Sequence, residues 1–88
     1  MFEWNPRKAE GNLRKHGVPF RKVEEFDWTT AAISYDDDMD YGEDRMVATG
    51  FIGMDIYVLV YVERAEVIRV ISLRKATKQE IRTYEEQI

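Results

Sequence analysis

Hydrophobic positions change their spacing as the chain proceeds, and each change marks an element. Phe2-Glu3-Trp4 alternates apolar and polar, the pattern of a short edge strand. Asn5-Pro6 then supplies a capping oxygen followed by proline at a first helical position. The helix this predicts runs to about His16, with Gly17 as its left-handed stop. Pro19 opens a second predicted helix, with Phe20, Val23 and Phe26 facing inward and an end near Trp28. From residue 31 the spacing becomes that of strands, over residues 31–35, 45–52, 56–62 and 67–73.

The span 56–62 is apolar on both faces, which predicts a central strand covered on both sides. Glu63-Arg64-Ala65-Glu66 predicts a tight hairpin, without the favoured Asn-Gly pair. Pairing Glu63 with Glu66 sets Val60 opposite Arg69, Val58 opposite Ile71 and Tyr57 opposite Ser72. In that register Arg69 shares a face with Val58, Val60, Val62 and Ile71, whereas Arg74 shares the other with Tyr57, Leu59 and Val70. Thr77-Lys78-Gln79-Glu80 is a capping box, with Ala76 and Ile81 placed as a hydrophobic staple. Ile81, Tyr84 and Ile88 form the apolar stripe of that last helix. The expected fold is therefore α+β, in the order β-α-α-β-β-β-β-α, with two N-terminal helices and one C-terminal helix on a mostly antiparallel sheet of four to five strands.

Composition narrows the class. The 88 residues predict one domain, 1–88, and 44% hydrophobic with 34% charged residues is a globular mixture. There is no cysteine and a single histidine, so no thiolate or multi-histidine metal site is available and no metal or cofactor is expected. Ile56–Val62 is far too short to span a bilayer, and the N-terminus lacks the basic-then-apolar order of a signal peptide, so a cytoplasmic protein is expected. The net charge of −4 argues against non-specific nucleic-acid binding by the whole molecule. Six acids crowd residues 36–44, however, and outside that stretch 13 bases face 11 acids, which leaves room for a local basic face. A calcium loop does not fit there. Aligned from Asp36, the glycine falls one place late at Gly42, and Val47 stands where a bidentate glutamate belongs. The stretch reads as a solvated loop, with docking of a protein partner as the functional alternative.

Several segments taken together resemble one family. Phe2-Glu3-Trp4-Asn5-Pro6-Arg7-Lys8-Ala9, continued by Asn12-Leu13-Arg14-Lys15-His16-Gly17-Val18 and Phe20, resembles the opening of BrnT-family toxins. Asp40-Tyr41-Gly42-Glu43-Asp44-Arg45, Tyr61-Val62-Glu63-Arg64, the run from Ile68 to Thr77 and the closing Tyr84-Glu85-Glu86 are similar to the same family. The resemblance covers nearly the whole chain, in order. It implies a RelE-like fold, ribosome-independent RNA cleavage, and a BrnA-type ribbon–helix–helix antitoxin that binds the toxin and represses the operon, so that operator DNA is reached only through the antitoxin. The chain departs from such toxins in being acidic.

RNA cleavage without a metal needs a base for the 2′-hydroxyl, an acid for the leaving oxygen and cations for the charge that builds on the phosphate. Arg64, Arg69, Arg74 and Lys75 lie on or just beyond one predicted strand. Arg64 at a hairpin tip and Lys75 also read as ordinary solvated cations. Arg69 interrupts an apolar face, so it must be ion-paired or beside an open cleft. Lys78 sits in the first turn of the last helix, where the dipole disfavours a cation, and with Arg74 and Lys75 just upstream it suggests a phosphate seat; a tolerated surface lysine is the alternative. Lys15 and His16 close the first helix, where cations favour the dipole, and Lys15 joins Lys75 and Lys78 as a candidate RNA contact. His16 is the side chain whose normal pKa lies nearest neutrality, and Glu63 is the competing base. Trp4 and Trp28 read as core-edge residues. Two functions remain: a metal-independent endoribonuclease using these residues, or a catalytically inactive module that keeps the fold to dock a protein.

Overall fold

In the computed structural model the described residues are 1–36 and 44–87. The acidic stretch 37–43 and Ile88 lie outside them, and with them the expectations of a solvated or docking loop and of a third apolar position on the last helix. The elements are β1 (Phe2–Glu3), α1 (Pro6–His16), β2 (Ala32–Tyr35), β3 (Met46–Ile52), β4 (Asp55–Arg64), β5 (Val67–Lys75) and α2 (Lys78–Gln87). They form a five-stranded sheet in the order β1-β5-β4-β3-β2, antiparallel except where β1 runs parallel to β5.

Local chemistry sets the helix ends where the sequence places them. The Asn5 side chain accepts from the Arg7 N–H at 2.8 Å, Pro6 opens α1, and Gly17 at φ 72° donates back to Leu13 O at 2.8 Å. At α2, the Thr77 hydroxyl accepts from Glu80 N (3.2 Å) while the Glu80 carboxylate accepts from Thr77 N (2.9 Å), which is the capping box. The predicted second helix is instead two 3-10 helices, Phe20–Glu25 and Trp28–Thr30. The physical reason lies in the spacing: Phe20, Val23 and Phe26 recur every third residue, the period of a 3-10 turn, and all three are buried.

One sheet face carries the core. Leu59, Tyr61, Val70 and Leu73 from the central strands meet Phe20, Val23 and Phe26 from the 3-10 segment. Trp4 and Trp28 close its rim, each half-buried and edge-on to a neighbouring ring, Trp4 to Phe20 and Trp28 to Phe26 and Tyr61. Gly50 lets the 3-10 segment cross β3 closely, because a Cβ there would stand 3.0 Å from Phe26 Cζ and from Thr30 Oγ1. The opposite face is covered at one end by α2. Tyr84 packs edge-on to Phe51 at 6.0 Å between ring centres, and its hydroxyl donates to Thr30 O at 2.5 Å. Among the described residues no helix is long and apolar enough to cross a membrane.

Candidate active site

The part of the second face that α2 leaves open among the described residues is organised by an irregularity in β5. The hairpin closes with Arg64 opposite Val67, not Glu63 opposite Glu66, because the turn falls on Ala65-Glu66, with Ala65 at φ 53°. Val62 then pairs with Arg69 and Tyr61 with Val70, but Val60 pairs with Ser72. Ile71 is the extra residue of a β-bulge. A single inserted residue reverses the facing of everything after it. Leu73 consequently turns into the core opposite Leu59, and Arg74, expected on the core face, points to the other one opposite Val58. The bulge thus brings Arg64, Arg69, Ser72 and Arg74 to one face, above a floor of Val47, Val60 and Val62. Val62 and Val58, the partners of Arg69 and Arg74, lie four residues apart on β4, so at about 3.3 Å per residue the two arginines stand roughly 13 Å apart along the sheet. The arginines form a row.

Their partners decide what each can do. Arg69 Nη1 donates to Glu3 Oε2 at 3.0 Å, with side chains 33% and 46% exposed, so it belongs to a half-exposed pair and not to a buried one. β1 provides that carboxylate through its parallel pairing, Glu3 opposite Arg69. Arg74 makes a fork on Glu80, with Nη1 to Oε1 at 2.6 Å and Nη2 to Oε2 at 2.8 Å. That fork, with the bond from Thr77, holds the Glu80 carboxyl down from its ordinary 4.5 to about 2. A protein carboxylate therefore already stands at the start of α2 where a phosphate seat was expected, and exposed Lys78 lies beyond it. Lys75 pairs with Asp55 at 3.6 Å, and both are exposed. Arg64 ends β4 in an exposed position.

Past the end of β1, the free edge of β5 is taken by α1 through Asn12. This buried amide donates to Leu73 O (2.7 Å) and Val18 O (2.9 Å) and accepts from Leu73 N (3.2 Å), standing in for a strand. The anchor carries the end of α1 toward Arg74. Desolvation, then the charges of Lys15 and Arg74, hold the His16 imidazole below its ordinary 6.5, so it is neutral at pH 7. Lys15 itself is exposed. Glu63 alternates with Arg64 on β4 and so lies on the face opposite the arginines, near Tyr61, whose hydroxyl pKa is raised by burial and then by the Glu63 charge. His16 lies within electrostatic reach of Arg74, whereas Glu63 lies across the sheet from the arginine row. Among the described residues no three His, Asp or Glu side chains converge as a metal site.

Against this geometry the comparison with known families is specific. The family model described as the ribonuclease toxin BrnT of type II toxin–antitoxin systems matches residues 4–80. The chain belongs to the BrnT family. The matched span contains His16, the bulged strand, all three arginines and the capping-box Glu80, so the features described above lie inside the BrnT homology. A comparison with curated proteins gave no match. BrnT membership makes RNA the target class and an antitoxin the partner class. Sequence reasoning missed Glu3, Asn12 and Glu80 as the residues that hold the row in place. Glu80 was legible as a cap, but its second bond to Arg74 depends on the bulge, and no local pattern announces Asn12 or a bulge at Ile71.

Proposed function

We propose that this BrnT protein is a metal-independent endoribonuclease whose substrate backbone lies along β5, and that a BrnA-type ribbon–helix–helix antitoxin neutralises it. The observation that carries the catalytic part is the bulge at Ile71, which turns Arg74 onto the face of Arg64 and Arg69 in a chain of a ribonuclease family. In this reading the reacting phosphate sits at the Arg74–His16 end. Neutral His16 takes the proton of the 2′-hydroxyl, that oxygen attacks phosphorus as the bond to the 5′-oxygen breaks, and the 5′-oxygen takes its proton from water or from the imidazolium just formed. The products are a 2′,3′-cyclic phosphate and a 5′-hydroxyl. Arg74 offsets the charge of the phosphorane, while Arg69 and Arg64 hold phosphates further along, with Lys15 and Lys78 as outer contacts; Lys75 alternates with Arg74 and faces the other side. The position of Glu63 across the sheet favours His16 over it as the base.

Cleavage of single-stranded RNA by the purified chain in EDTA, with end-group analysis, tests this proposal. A cyclic phosphate or its hydrolysis product is expected, and activity that vanishes with chelator and returns with magnesium overturns the mechanism. A second reading, an inactive module for docking protein, is favoured by one observation: Arg69 and Arg74 already have carboxylate partners in Glu3 and Glu80. It expects no cleavage by a chain that still binds its antitoxin.

A further inference from the structure

β2 ends the sheet, and among the described residues no element pairs with its outer edge. The direction of its backbone groups follows from one bond. Asp36 N donates to Arg45 O at 2.8 Å, so in the antiparallel register Ser34 and Ala32 also face β3 with their polar groups. The N–H and C=O of Ile33 and Tyr35 therefore point outward. The same two residues carry exposed apolar side chains, Ile33 at 50% and Tyr35 at 68%. Natural edges are usually blunted by proline, lysine, a bulge or extreme shortness, and β1 at the other end of the sheet has only two residues. The four residues of β2, Ala-Ile-Ser-Tyr, carry none of these devices. Beside the strand, a groove of about 240 Å³ is lined by Ile33 and Ser34 and by Gln79, Thr83, Tyr84 and Gln87 of α2.

We propose that the outer edge of β2 is the antitoxin's docking site, where the partner adds an extended segment as a sixth strand. This inference rests on the reading that a protein antitoxin neutralises the chain. The occupant is specified by chemistry. It is apolar on the face that meets Ile33 and Tyr35. It is basic overall, complementary to a chain of net charge −4. The same charge, with −4 on every copy, disfavours pairing with a second copy of this chain.

The test is Ile33→Pro. This substitution deletes an outward N–H and spares the β2–β3 bonds, as proline is tolerated on edge strands whose N–H faces solvent. The full chain is co-expressed with its cognate antitoxin, and affinity is measured together with amide hydrogen exchange. The expected results are slowing of Ile33 and Tyr35 exchange by at least about tenfold in the complex, and an affinity about thirtyfold weaker for Ile33→Pro. Melting temperature and RNA cleavage are expected to stay at wild-type values. Ile33→Thr, which keeps the N–H, is expected to bind within a few-fold of wild type. A wild-type complex indifferent to Ile33→Pro, or one that leaves the β2 amides exchanging freely, overturns the docking site alone. Self-association of the free chain through β2 overturns the stated occupant. A wild-type chain that binds no antitoxin overturns the antitoxin reading and this inference with it.

Discussion

At the level of single residues, the arginines divide by what they leave behind when removed. The Arg69–Glu3 pair is half-exposed, so Arg69→Ala is expected to cost at most about 1 kcal/mol of stability. Its effect on RNA cleavage is expected to be about tenfold and chiefly in KM, and Arg64→Ala should behave alike. Arg74→Ala should lower kcat about a hundredfold, or ~3 kcal/mol of transition-state stabilisation. Glu80 makes a separate, pH-dependent contribution. Its folded pKa is depressed, so the stability it confers is present above pH 4.5 and is lost as pH falls toward 2. The full shift corresponds to about 3 kcal/mol, which solvent screening at a one-third-exposed pair reduces to roughly 1–2 kcal/mol. Acid unfolding of Glu80→Gln should accordingly lack that portion of the pH dependence, as read by urea midpoints between pH 2 and 5. For His16, removing a neighbouring charge should raise the pKa, so in Lys15→Ala the acid limb of the cleavage profile should move upward. A limb unmoved by Lys15→Ala counts against His16 as the base.

At the level of elements, the site depends on two features that fix β5. The bulge sets which face Arg74 takes, and Asn12 fixes where α1 ends. Asn12→Ala strands Leu73 N, Leu73 O and Val18 O in a buried setting, at a cost of about 3 kcal/mol or on the order of 15 °C in melting temperature. Thermal unfolding checks this, and a change under 1 kcal/mol would show that α1 is held by other contacts. Gly50→Ala, meeting Phe26 and Thr30 at 3.0 Å, is expected to cost about 1–3 kcal/mol by pushing the 3-10 segment off β3. These elements also show what was legible in the sequence. Caps at Asn5 and Thr77, the stop at Gly17 and the alternation in the strands are local signals and appear where they were read. The 3-10 segment shares its opening proline with an α-helix, and only its every-third spacing carries the distinction. The bulge was not legible, because Ile71 is a good strand residue in either register and only cross-strand packing of Leu73 against Leu59 selects one.

For the whole molecule, an acidic protein with a ribonuclease homology sets six of its 17 acids in residues 36–44 and places Arg64, Arg69 and Arg74 on one sheet face. The family resemblance was readable from the residues because it spans almost the entire chain. The candidate site is legible in the sequence only in part: the arginines and His16 stand out as candidates, but Glu3 and Glu80 come from β1 and α2, beyond the reach of a hairpin argument. With its antitoxin the protein is expected to form a two-plus-two assembly burying at least roughly 1,000 Å², and a toxin-only peak at micromolar concentration in size-exclusion chromatography of the co-expressed pair would contradict that. The central claim is that the arginine face cuts RNA. It is tested most directly by cleavage of a single-stranded RNA in EDTA by the wild-type chain and by Arg64→Ala, Arg69→Ala and Arg74→Ala, each with its melting temperature. The account predicts folded variants with lowered rates, and Arg74→Ala lowest. Three variants that melt normally and cleave at the wild-type rate contradict it.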